Sequence, residues 1–171
     1  ATLRGIISAL EELGARLPVV FPVHPRTRQN LAEFGLLDAI GRRTRLLLVE
    51  PLGYHDFLRL YSGARLVLTD SGGIQEETTA LGIPCLTLRE NTERPVTVEM
   101  GTNRVVGTDP GRVVSAGLAA LDEAGAGPPP RVPPLWDGKT ADRILDALLA
   151  AAGSGAGASP SGAYAQTGGE K

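Results

Sequence analysis

Apolar positions along the chain follow two different spacings. Leu3, Ile6, Ile7, Leu10 and Leu13 recur every three or four residues, which predicts an opening amphipathic helix. Pro18 to Val23, Arg45 to Val49, residues 65–69, residues 84–88 and Asn103 to Gly107 are short, mostly continuous apolar runs. They read as strands buried on both faces. Helical patterns separate them. These cover Arg26 to Phe34, with Leu31 and Phe34 turned inward, and Tyr54 to Ala64, with Phe57, Leu58, Leu60 and Tyr61 inward. Further helices are expected from 73 to about 81, in a short piece ending near Gly101, from Arg112 to Glu123 on Val114, Leu118 and Leu121, and from Lys139 to Ala151. Strands alternating with helices predict an α/β fold, a Rossmann-like parallel sheet with helices on both faces. Ligands of such sheets bind at the carboxyl ends of the strands. Three groups fall there: His24, the Leu52–Phe57 loop, and Asp70 to Gly73.

Residues 1–152 are expected to form one domain. Residues 153–171 are Gly, Ala and Ser with few large apolar groups and are expected to be disordered. The chain opens at Ala1 without an initiator methionine, which suggests a segment of something longer.

Composition narrows the partners. A net charge of −2 gives no electrostatic case for nucleic acid or membrane. No apolar stretch approaches the roughly 18 residues of a membrane span. One cysteine, Cys85, excludes a disulfide framework and fits a cytoplasmic setting. Lying in an apolar run, it reads as a small strand hydrophobe rather than a nucleophile. No cofactor or metal site is indicated.

The strongest chemical signal is Thr69-Asp70-Ser71-Gly72-Gly73 between a strand and a helix. Helix N-termini carry unpaired N–H groups and partial positive charge, and glycine lets a ligand approach the backbone. A phosphate or diphosphate site is one reading, and a tight turn with Ser71 as N-cap is the other. Glu77 lies one turn beyond Gly73, where its carboxylate can accept from ribose hydroxyls; Glu76 suits solvent or an ion pair. Arg94 precedes Pro95, which restricts its backbone. Its guanidinium suits a diphosphate bridge, or else a surface pair with Glu90 or Glu93. His24 has a phosphate-binding or proton-transfer reading and a structural one. His55 reads as a surface residue, and Phe57 as a base-stacking ring or a core residue.

Together, Leu68 to Glu77, Gly82-Ile83-Pro84, Thr92-Glu93-Arg94-Pro95, Gly101-Thr102-Asn103 and Val106-Gly107 resemble the non-hydrolysing UDP-N-acetylglucosamine 2-epimerases. Phe21 to Thr27 is similar to that family's preceding strand, and the likeness runs over roughly residues 2–151. The resemblance implies the C-terminal nucleotide-binding domain of a two-domain, GT-B-like fold. It implies that Ser71, Gly72 and Gly73 hold the diphosphate or ribose, that Glu77 takes the ribose hydroxyls and that Arg94 meets the phosphates. The Leu52–Phe57 loop would hold uracil, with Leu52 standing where some members have glutamine. The implied reaction inverts C2 of UDP-N-acetylglucosamine by loss and re-addition of UDP. The acid–base groups for it lie in the missing N-terminal domain, so no catalytic residue is assigned here. His24 is an allosteric or accessory candidate, and the complete protein is expected to be a homodimer. The donor-binding half of a GT-B glycosyltransferase and a non-catalytic UDP-binding domain are the alternatives.

Overall fold

The computed structural model describes residues 2–37, 40, 45–123 and 132–155. The elements in chain order are α1 (Thr2–Gly14), β1 (Val19–Pro22), α2 (Pro25–Glu33), β2 (Leu46–Val49), α3 (Tyr54–Ser62) and β3 (Val67–Thr69). They continue with α4 (Gly72–Leu81), β4 (Cys85–Thr87), α5 (Pro95–Glu99), β5 (Asn103–Val105), α6 (Pro110–Glu123) and α7 (Thr140–Gly155). These form two compact units that divide between Pro133 and Pro134.

All strand pairing in the first unit is parallel, as the α/β alternation predicts. Instead of one continuous ladder there are two, β1–β2 and β3–β4–β5. Strands of three or four residues carry few ladder bonds, and side-chain packing supplies the continuity. Leu68 packs against both the cluster of Ile7, Val23, Leu31 and Leu46 and the cluster of Leu86, Val106 and Val113.

Period-two alternation explains how two helical layers are covered. Leu68 and Leu86 are register partners and bury toward Ala9 of α1 and Val113 and Val114 of α6. Val67 packs with Tyr61, Ile83, Phe57 and Ile74, on the side of α3 and α4. Every residue of the central strand β4 is buried, which is why its sequence reads as unbroken apolar character. On the first side, α1 and α6 pack closely. A Cβ on Gly117 would stand 2.7 Å from Leu13 Cδ2. Glycine at that crossing lets the two helices approach.

The expectation of strands buried on both faces fails for β1 and β2, whose register partners Val20 and Leu47 are exposed on one face. Two inward helix assignments fail as well. Phe34 is 54% exposed because α2 ends at Glu33 and Phe34 serves as its C-cap. Leu60 is also exposed, leaving Tyr61 as the buried residue of that helix. The second unit is short. Arg143 holds its entry by bonding Asp137 and the Leu135 carbonyl. That guanidinium keeps the Asp137 carboxyl at about 2, below the usual carboxylate range. The closing helix runs to Gly155, past the expected end at Ala151 and into the first residues of the expected tail. The rest of that tail, 156–171, lies outside the described residues, as does most of the Gly/Pro-rich stretch 125–134 that the sequence places between the last two helices.

Candidate functional site

The site grows from the turn between β3 and α4. Thr69 Oγ1 accepts from the Ser71 amide at 3.0 Å, which closes the turn. Ser71 occupies the N-cap in extended geometry, yet its hydroxyl makes no capping bond. Its carbonyl takes the first helical bond, from Gln75 N. The amides of Gly72, Gly73 and Ile74 therefore have no intrahelical acceptor. The two glycines are not demanded by the fold. Neither has a positive φ, and a Cβ at either would meet other atoms only at 3.8 Å or beyond. Each costs about 1 kcal/mol of helix propensity relative to alanine. What glycine provides here is open access to three amides at the positive end of a helix.

Arg94 stands over that end. Its side chain passes within van der Waals distance of the Gly72 position. Its Nε lies 2.9 Å from Glu76 Oε1, close enough for an ion pair but not aligned for a hydrogen bond. Its Nη1 donates to the Glu93 carbonyl at 3.3 Å. Neither expected surface partner is used: the Glu93 carboxylate faces Arg89 instead, and Glu90 forms no pair with Arg94. The reason is the direction of the backbone at Arg94, which caps α5 and turns its side chain back toward α4.

A buried polar cluster fixes that direction. Gln75 Oε1 accepts from Thr92 Oγ1 at 2.5 Å and from Asn103 Nδ2 at 3.2 Å. Asn103 Nδ2 also donates to Thr97 Oγ1, and Asn103 Oδ1 accepts from Thr87 Oγ1. Thr92 Oγ1 accepts from the Arg94 amide, and Thr97 Oγ1 donates to the Arg94 carbonyl. Both backbone polar groups of Arg94 are thereby held. Gln75, Thr87, Thr97 and Asn103 are all buried, so the bonds among them form where water competes poorly, while Thr92 and Arg94 are half-buried at the edge of the cluster. Gln75 and Asn103 stand within the sequence motifs Leu68 to Glu77 and Gly101 to Asn103, which give them no role of their own. Their neighbours in the chain are largely polar, Glu76 and Glu77 beside Gln75 and Thr102 and Arg104 beside Asn103, so no local signal marks them as buried.

Glu77 lies on another side of α4. It accepts a hydrogen bond from the Tyr61 hydroxyl, and Tyr61 meets Phe57 edge to face, ring centroids 5.1 Å apart. Burial first, and then the Glu77 carboxylate, raise the Tyr61 phenol well above its ordinary value. The structure thus brings together Ser71, Gly72, Gly73 and Arg94, and separately Phe57, Tyr61 and Glu77, with α4 joining the two groups. Leu52 is exposed in the loop before α3. The N-cap of α3 is Gly53, again without a side-chain cap.

His24 stands apart. Its Nδ1 accepts from the Arg26 amide at 3.3 Å, capping α2. His55 is exposed beside Tyr54. Cys85 is buried, and burial pushes its thiol up to about 11, so it stays a thiol at neutral pH. Among the described residues, no cluster of His, Cys, Asp and Glu has metal-ligand geometry, and no helix is long and apolar enough to cross a membrane.

Residues 1–149 match the family pattern described as UDP-N-acetylglucosamine 2-epimerase. A UDP-N-acetylglucosamine 2-epimerase of Methanocaldococcus jannaschii is 42% identical over 130 residues, covering 76% of this chain and 34% of that protein. A UDP-2,3-diacetamido-2,3-dideoxy-D-glucuronate 2-epimerase of Pseudomonas aeruginosa is 37% identical over 120 residues, covering 70% and 32%. The crystal structure of the Methanocaldococcus jannaschii UDP-GlcNAc 2-epimerase in complex with UDP-GlcNAc and UDP superposes with a TM-score of 0.74. It is 38% identical and covers 87% of this chain and 41% of that one. The chain spans about a third of the length of the curated relatives it matches.

Proposed function

The chain belongs to the UDP-N-acetylglucosamine 2-epimerase family, and from that premise we propose that it is the UDP-binding half of an enzyme converting UDP-N-acetylglucosamine to UDP-N-acetylmannosamine. The observation that carries the reading is the uncapped N-terminus of α4 beneath the Arg94 guanidinium, opened by two glycines that packing does not require.

In this reading the diphosphate accepts from the amides of Gly72 and Gly73 and from the Ser71 hydroxyl. Arg94 exchanges its Glu76 partner for a phosphate oxygen. Charge-assisted bonds of this kind strengthen as the sugar–phosphate bond breaks and negative charge gathers on the leaving UDP. Glu77 accepts from the ribose hydroxyls, Phe57 stacks on uracil, and the Leu52–Phe57 loop closes around the base. The second chemical need is an acid–base pair at C2. We assign it to the length of protein that this chain does not span.

That companion domain is the principal protein partner in this reading. The exposed apolar stripe of Ile144, Leu145, Leu148 and Leu149 on α7 gives it a surface to cover. A homodimer of the complete protein belongs to the same proposal, and sedimentation of that protein tests it. His24 keeps an accessory role only if effector binding changes when it is replaced.

The complete protein incubated in D2O with UDP-N-acetylglucosamine should incorporate deuterium at C2. Recovery of unlabelled substrate and product would reject epimerisation. A second substrate is favoured by one observation, the similarity to the Pseudomonas aeruginosa enzyme. Running UDP-2,3-diacetamido-2,3-dideoxy-D-glucuronate beside UDP-N-acetylglucosamine in the same assay distinguishes the two sugars.

A further inference from the structure

Glu77 is the residue on which ribose recognition depends in the reading above, but a surface glutamate is a poor receptor. Its side chain has several rotamers, and ordering it on binding costs conformational entropy. Here one of its oxygens is already engaged: Tyr61 Oη donates to Glu77 Oε2. The donor itself cannot wander. Tyr61 is 4% exposed, belongs to the cluster with Val67 and Ile83, and lies edge-on to Phe57 at an interplanar angle of 73°. Phe57 and Tyr61 stand four residues apart on α3, so they share one helix face. Glu77 Oε1 has no partner among the described residues, and it retains both lone pairs for an incoming diol.

We propose that Tyr61 is a positioning residue that pins Glu77 for a vicinal diol, so that the site discriminates a ribonucleoside diphosphate from its 2′-deoxy counterpart. This inference rests on the UDP-binding reading of the site and adds a residue and a specificity to it. With Oε2 held from behind, the plane of the carboxylate is set before ligand arrives. Both ribose hydroxyls then find an ordered acceptor, and the ordering cost falls on the folded protein instead of on binding. Through Phe57, the same tyrosine also fixes the ring proposed to stack on the base. Base and ribose contacts are thereby coupled through one buried side chain.

Tyr61→Phe removes the hydroxyl and keeps the ring. The affinities of the 171-residue chain for UDP and for 2′-deoxy-UDP, read by calorimetry, test the idea. We expect Tyr61→Phe to weaken UDP by up to about tenfold, the scale of one long side chain that must be ordered on binding. The 2′-deoxy-UDP affinity should move less than about twofold, so the ratio between the two ligands collapses. Equal weakening of both ligands, or of neither, overturns the proposal while leaving the UDP site standing. No UDP binding by the unaltered chain would remove the site and this inference together. A measurement on the unaltered protein guards against a misfolded variant. Proton NMR should show a downfield, slowly exchanging phenolic resonance that shifts in Glu77→Gln, and absence of that resonance overturns the pinned carboxylate.

Discussion

The helices after β1 and β3 start from equivalent places, each following the carboxyl end of a parallel strand, yet their first turns are chemically opposite. At α2, His24 caps the Arg26 amide, and Pro25 at the first helical position has no amide to leave unpaired. The start of α6 repeats that solution, with Asp109 Oδ1 accepting from Arg112 N at 2.9 Å and Pro110 opening the helix. At α4 the cap residue makes no capping bond and the next two residues are glycine. At α3 the cap is Gly53, also without a capping bond. The two closed ends stabilise their own helices. The two open ends belong to neighbouring helices, joined through Tyr61 and Glu77. The proposed anion site on this sheet is therefore marked less by what is present than by where ordinary capping is withheld.

Four substitutions test the contrast. The largest effect is expected at the open end: Arg94→Ala should weaken UDP binding by about 1.5–3 kcal/mol, the range for hydrogen bonds to charged groups. Unchanged affinity in calorimetry would reduce Arg94 to a surface partner of Glu76. Next comes the framework behind it. Asn103→Ala leaves the Thr87 hydroxyl without its acceptor and deprives Gln75 and Thr97 of a donor. It should lower unfolding stability by about 1–3 kcal/mol, measurable by urea titration. A loss under half of that would show that the cluster does not hold the Arg94 turn.

Gly72→Pro converts the open end to the pattern of α2. Proline suits the first helical position, and Ser71 already has φ −86° and ψ 128°, which a following proline requires. Stability should rise by about 0.4–1 kcal/mol through the unfolded chain. UDP affinity should fall by about 1.5 kcal/mol with the lost donor. If stability and affinity moved together, the capping contrast would have no bearing on binding. The smallest effect belongs to the closed end. His24→Ala should cost about 0.5 kcal/mol of stability, the low end for a lost cap, and leave UDP affinity unchanged within error. A large affinity loss there would return His24 to the binding site.

The legible parts of the molecule were those written in adjacent residues. The buried run Ile83 to Leu88 announces a central strand, and β4 is buried along its whole length. Ser71-Gly72-Gly73 announces a turn into a helix with exposed amides, and α4 begins there. The partners of long side chains were not legible. Sequence offered Glu90 and Glu93 to Arg94 because they are near in the chain, while the fold supplied Glu76. Phe34 and Leu60 followed helical periodicity but fell where a helix had ended or turned outward.

By itself, the sequence determined the alternation of strand and helix, the family and the place of the open turn, because periodicity and turn chemistry act over a few neighbouring residues. What holds that turn in place depends on long-range packing. The contact between Tyr61 and Glu77 spans 16 positions, and that between Gln75 and Asn103 spans 28. Nothing local distinguishes those pairs from other polar residues. They meet because parallel strands bring α3, α4 and β5 side by side, and burial then makes each hydrogen bond obligatory.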